Sequence, residues 1–162
     1  MTAQIMDQIE FAGRVYDIAC EPLRPWLNIR RNRKLRFASS CSGLQRGYST
    51  HWAVVDGILF LTSFNAKDID GRELDLSSLF PEADKKVPAN WYSGAISCPM
   101  GKLLRYEHWG YGSVYEFDLI LWFIEGQLIE QRINRNPSNQ KTSSFEERHL
   151  SDDFDEELHG NK

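Results

Sequence analysis

The sequence predicts a β-dominated α+β domain, or an all-β one. Its antiparallel hairpins would form one sheet or a partly open barrel with one or two short helices, followed by a flexible acidic C-terminal tail. Three observations predict this. Dipeptides ending in Gly separate short runs rich in β-branched and aromatic residues, the pattern of tight hairpins. Helical periodicity is scarce along the chain. Residues 91–133 hold three of the five Trp and four of the six Tyr. Rings of that size are costly to leave in water, so this segment belongs to the core and to the rim of any site.

Four strand pairs follow from the turn chemistry. Ile9-Glu10-Phe11 and Arg14 to Ile18 flank Ala12-Gly13, and Trp52 to Val55 and Ile58 to Leu61 flank Asp56-Gly57. The glycine in the second pair suits the positive φ of a type I′ turn. Trp91 to Cys98 reads as a strand ended by Pro99, with Met100-Gly101 turning the chain toward Lys102 to His108. Tyr115 to Phe123 and Leu128 to Ile133 flank Glu125-Gly126. Within the last pair Leu119 to Ile124 is apolar on both faces, as expected of a central strand covered on each side. Two short helices are expected. Asp75 to Phe80 stops before Pro81, and Pro25 to Arg30 has Pro at its first position.

Residues 1–133 read as a single β-rich domain and 134–162 as a polar linker with an acidic tail. Asn136 to Ser144 cannot bury enough apolar area to order itself. Ser144-Phe145-Glu146-Glu147 then has the form of a capping box, with Phe145, Leu150, Phe154 and Leu158 at spacings too uneven for a stable isolated helix. Charge is divided along the chain. Seven bases and no acid lie between Pro22 and Thr50, and seven acids face one Arg between Phe145 and Leu158. The acidic stretch reads as a solvated tail, as a segment that folds on a partner, or as one that docks on the basic run 30–36.

A chain of 162 residues fits one domain with its own core. The run Leu119 to Ile124 is far short of the roughly 20 residues needed to span a bilayer, and the first ten residues carry acids where a signal peptide is apolar. The expectation is a cytosolic protein with no membrane partner. Cys20, Cys41 and Cys98 are odd in number and widely spaced, so they read as buried structural thiols rather than disulfides. Without CxxC or HxH pairs, neither a metal nor a cofactor is expected.

Catalytic signatures are lacking too. There is no GxSxG turn around a serine, no HExxH and no GxxxxGK[ST] loop. Gly110-x-Gly112 lacks the third glycine and following helix of a dinucleotide site. The richest polar group is Tyr106, Glu107, His108, Tyr111, Tyr115 and Glu116, where His108 and Glu116 could serve as an acid–base pair. His51 beside Trp52 is a weaker candidate. Arg30 to Arg36, interleaved with Trp26, Phe37 and Tyr48, could hold single-stranded nucleic acid. The overall pI near 5.6 argues against a dedicated nucleic-acid binder.

Several motifs occur in a fixed order: Arg46-Gly47-Tyr48 before the Trp52…Asp56-Gly57 hairpin, Leu79-Phe80-Pro81, Ala89-x-Trp91-Tyr92-Ser93-Gly94, Pro99-x-Gly101-Lys102 through His108, and Gly110 to Glu116. From about residue 10 to residue 133 the chain resembles a family of small bacterial proteins with no established activity. The resemblance implies a bacterial origin and one compact domain, and it brings no catalytic residues. The basic run and the acidic tail look like additions peculiar to this chain.

Together these features lead to the expectation of a non-enzymatic cytosolic protein that binds a protein partner through an aromatic loop face, in a toxin-neutralising (immunity-like) or regulatory role. Trp109 and Tyr111 are the expected anchors, flanked by Tyr106, His108 and Tyr48, with Arg46 and Glu116 at the rim. The alternatives are a small enzyme using His108 and Glu116, and single-stranded nucleic-acid binding through residues 30–36.

Overall fold

A computed structural model describes residues 2–137, and strand dominates it, at 49% against 10% helix. Nine strands form one open mixed sheet: β1 (Asp7–Phe11), β2 (Arg14–Ile18), β3 (Tyr48–Val55), β4 (Ile58–Lys67), β5 (Glu73–Leu74), β6 (Val87–Pro88), β7 (Gly94–Arg105), β8 (Val114–Ile124) and β9 (Gln127–Arg135). Two one-turn helices, α1 (Arg24–Leu27) and α2 (Leu76–Leu79), lie in the connections. The strand order is β2-β1-β3-β4-β9-β8-β7, and the two-residue strands β5 and β6 are laid along β4. The two ends of this path meet where the Ala19 amide donates to the Ser97 carbonyl at 2.9 Å. Among the described residues no helix is long and apolar enough to cross a membrane.

Three of the expected hairpins form as the turn residues require. Ala12-Gly13, Asp56-Gly57 and Glu125-Gly126 take φ values of 49° and 78°, 51° and 75°, and 47° and 78°. Positive φ at both central positions is the type I′ geometry, whose twist matches that of the flanking strands. β8 is the covered central strand, with Leu119, Ile120, Leu121 and Phe123 all buried. The helix before Pro81 also forms. Asp75 caps it by accepting from the Ser78 amide, while the Ser78 hydroxyl accepts from the Asp75 amide.

The third expected pair is different. Pro99 does not end a strand, and Met100-Gly101 does not reverse the chain. β7 runs unbroken through both and pairs with β8 instead. An end strand tolerates proline because the missing N–H is not needed by a second neighbour. Gly101, at φ 78°, makes a bulge in which the Lys102 amide donates to Glu116 Oε1 at 2.7 Å. Trp91 to Ser93 lie in the approach to β7 rather than within it. The sheet is also not wholly antiparallel. β1 and β3 pair in parallel, Gln8 opposite His51 and Glu10 opposite Ala53. A parallel pair needs a long crossover, and residues 19–47 supply it with α1 and two 3-10 turns.

Two aromatic groups fill the core. Phe80 stacks on Trp91 at 5.8 Å and tilts against Trp26 at 4.6 Å, while Trp52 meets Trp91 edge-on at 6.4 Å. Phe37, Tyr48 and Phe64 make a triangle with centroids 5.5–5.7 Å apart. The indole N–H groups find acceptors, Trp91 at the Pro22 carbonyl and Trp52 at the Thr50 hydroxyl. Of the three cysteines, Cys98 is buried, Cys20 half-buried and Cys41 exposed, so the expectation of three buried thiols is corrected at Cys41. The proposed capping box at 144–147 and the apolar positions 145–158 lie outside the described residues.

The turn glycines Gly57 and Gly126 share a φ but not their surroundings. A Cβ on Gly57 would meet nothing within 4 Å, whereas one on Gly126 would stand 2.7 Å from the Ala89 carbonyl oxygen. Gly57→Ala should therefore cost only the left-handed backbone penalty, about 1–2 kcal/mol. Gly126→Ala adds a backbone clash and should cost about 3–4 kcal/mol. Urea denaturation of the two variants checks this contrast.

Candidate functional site

A largely buried polar group is built from three separate segments. Asp7 opens β1, Arg46 lies in the turn before β3, Thr50 is in β3, and Tyr111 lies in the loop between β7 and β8. Arg46 Nη2 pairs with Asp7 Oδ1 at 2.9 Å, with side-chain exposures of 2% and 1%. Asp7 Oδ1 also accepts from the Thr50 amide at 2.7 Å. Arg46 Nη1 donates to the Ile5 carbonyl at 2.8 Å and to the Tyr111 hydroxyl at 3.1 Å. Its guanidinium carbon stands 5.5 Å from the centre of the Tyr48 ring. Burial raises the Asp7 carboxyl above its ordinary value, against the lowering pull of Arg46 and the Thr50 amide.

The loop from residue 106 to 113 is tied down at its base. The Glu107 amide donates to the Ser113 hydroxyl, the Gly112 amide to the Trp109 carbonyl, and Glu107 pairs with Arg105 at 3.1 Å. The Gln4 amide donates to the Gly110 carbonyl at 2.9 Å, joining the loop to the N-terminal segment. Above this base Tyr106 and Trp109 are 52% and 46% exposed. His108 meets the Tyr106 ring edge-on at 4.7 Å.

The seven residues expected to form one binding face thus divide. Tyr106, His108 and Trp109 share the exposed part of the loop. Tyr111 belongs to its base, its hydroxyl committed to Arg46, and burial raises its phenol. Arg46 is not at a rim; its side chain is in the interior. Tyr48 is fully buried, and burial raises its phenol as well. Glu116 holds the β7 bulge through the Lys102 amide. No hydrogen bond joins His108 to Glu116 among the described residues.

The basic run is also changed by folding. Trp26 and Tyr48 are in the core and offer no face for stacking, while Phe37 is half-buried. Residues 30–32 form a 3-10 turn, from which the chain continues past Arg33 to Arg36 along the outside. Burial pushes the Cys20 thiol up to about 12. Among the described residues no three His, Cys, Asp or Glu side chains gather as a metal site would require.

Sequence reasoning missed Asp7 and Thr50. The signal for Asp7 was present, since Asp7, Ile9 and Phe11 share one phase of β1 and an acid on the core phase calls for a buried cation. The fold and this buried pair define a strand-dominated domain with an exposed aromatic loop on a fixed base. No protein-family model matches the chain, and neither a curated protein nor a solved structure does.

Replacing Arg46 by Met would leave Asp7 buried without its cation, at a cost of about 3–5 kcal/mol at pH 7. An acid whose folded-state pKa is raised contributes stability below its unfolded value and loses it as pH rises through the folded one. The difference between wild type and Arg46→Met should therefore shrink as the pH is lowered toward 4. Paired urea titrations at pH 4.5 and 7 measure this, and an equal gap at both would contradict the assigned charge state.

Proposed function

We propose that this chain is a non-enzymatic binding protein of the bacterial cytosol that recognises a protein partner through Tyr106, His108 and Trp109, in a toxin-neutralising or regulatory role. One observation carries the reading. Three ring side chains stand exposed on a loop whose base is fixed by hydrogen bonds to Ser113, Gln4 and Arg46. Aromatic side chains of this kind supply most of the energy of many interfaces. A loop already held in place loses little conformational entropy on binding.

The acid–base alternative receives no support from the positions of His108 and Glu116. Their described partners are the Tyr106 ring and the Lys102 amide. Compared with the sequence expectation, the anchor pair moves from Trp109 and Tyr111 to Trp109 and Tyr106. Tyr111 serves the base of the loop, and changing it would disturb Arg46.

The double variant Tyr106→Ala/Trp109→Ala should keep the thermal midpoint within a few degrees, because both side chains are half-exposed. It should lose at least about 100-fold in affinity for a partner recovered stoichiometrically from bacterial lysate. A partner that binds wild type and double variant equally well would remove this loop from the interface.

A further inference from the structure

A concave site lies where the crossover 19–47 passes over the sheet, a hollow of about 440 Å³ that falls within the range of small-molecule sites. Arg24, Arg33, Arg36 and Arg46 line it, and no carboxylate does. Two of these charges are already balanced, Arg24 by Glu21 and Arg46 by Asp7. Arg33 and Arg36 are not. Arg33 is held by its Nε, which donates to the Asn28 carbonyl at 3.0 Å, and Arg36 by its Nη1, which donates to the Arg33 and Leu35 carbonyls. Among the described residues their remaining N–H groups have no partner. Guanidinium edges of this kind suit the paired oxygens of a phosphate or carboxylate.

The inner wall is closed: the Tyr48 hydroxyl and Arg46 Nε behind it have no hydrogen-bond partner among the described residues, and both are shut off from solvent and so from anything in the hollow. Phe37, Leu27 and Leu35 give the hollow its apolar walls.

We propose that this hollow binds a small anion, a phosphate monoester or carboxylate, carried on a planar apolar body. The anionic oxygens meet Arg33 and Arg36 at the mouth. The body lies against Phe37. The site shares no exposed residue with the aromatic loop, so it stands or falls separately from the partner surface proposed above.

Calorimetric titration of the full chain at low salt, with phenyl phosphate and inorganic phosphate as probes, tests it. Phenyl phosphate should bind at least about tenfold more tightly than inorganic phosphate, the gain expected from burying one ring. Arg33→Ala/Arg36→Ala should weaken phenyl phosphate binding at least about tenfold with an unchanged thermal midpoint, since both side chains are exposed. Tyr48→Phe removes only a buried, unpartnered hydroxyl behind the wall, so it should raise the thermal midpoint or leave it unchanged and leave phenyl phosphate binding as it is. Equal affinity for the two phosphates, or full binding by the double arginine variant, would overturn the site. Binding of a single-stranded thymidine octamer through the same arginines with none of phenyl phosphate would overturn it in favour of a polyanion-binding face.

Discussion

The Asp7–Arg46 pair is the constraint on which the arrangement of this protein depends. Apart from the short β4–β9 contact, every other strand pairing within the main sheet path is between consecutive strands, three of them joined by two-residue turns that fix the register and β7–β8 by the loop 106–113. The parallel β1–β3 pair has no such turn; a crossover from residue 19 to residue 47 separates its strands. Asp7 supplies what the turn cannot. One of its oxygens accepts from the Thr50 amide in β3 and from Arg46 just before it. A slip of one residue would leave that carboxylate unpaired in the interior, a penalty of several kcal/mol. The Thr50 hydroxyl then receives the Trp52 indole N–H, so the polar register is transmitted directly into the aromatic core.

A buried ion pair contributes little net stability, because desolvating two charges consumes most of what their attraction returns. Its value here is positional. The same guanidinium that pairs with Asp7 donates to the Ile5 carbonyl and the Tyr111 hydroxyl, drawing the N-terminal segment and the β7–β8 loop to the start of β3. The Gln4 amide on the Gly110 carbonyl completes that junction. Segments far apart in the sequence are thereby fixed to one cation, and the exposed rings of the loop sit on a rigid base.

How much of this could be read beforehand follows from the range of each interaction. Asp56-Gly57 and Glu125-Gly126 announce their hairpins because a type I′ turn is decided within two residues. Asp75 and Ser78 announce α2 for the same reason, three residues apart. Pro99 was misleading because its effect depends on whether its strand has one neighbour or two, which the local sequence does not contain. The parallel pairing of Gln8 with His51 is equally invisible, since it depends on a crossover and a buried charge. For the candidate site, residue types were legible and sides were not. Arg46, Tyr48 and Tyr111 stand out in the sequence as polar aromatic and cationic residues near one another in pattern. Only the fold shows that they look inward, while Tyr106, His108 and Trp109 look out.

Tyr48 shows where stability alone stops explaining this interior. Its ring packs with Phe37 and Phe64 as a phenylalanine would, and it makes the same contribution to the core volume. Its hydroxyl has no hydrogen-bond partner among the described residues, and a buried oxygen in that position is a net cost relative to Phe. Arg46 repeats the pattern at Nε, while its two terminal nitrogens are bonded. Both residues line the same hollow as Arg33 and Arg36, with these two atoms sealed behind its wall. The polar atoms of Trp52, Trp91 and Tyr92 are satisfied, whereas Asp7 Oδ2 and the Ser97 hydroxyl also lack a hydrogen-bond partner among the described residues. Core packing requires neither the Tyr48 hydroxyl nor the unpaired Arg46 Nε, and both belong to residues that line a hollow rich in arginine.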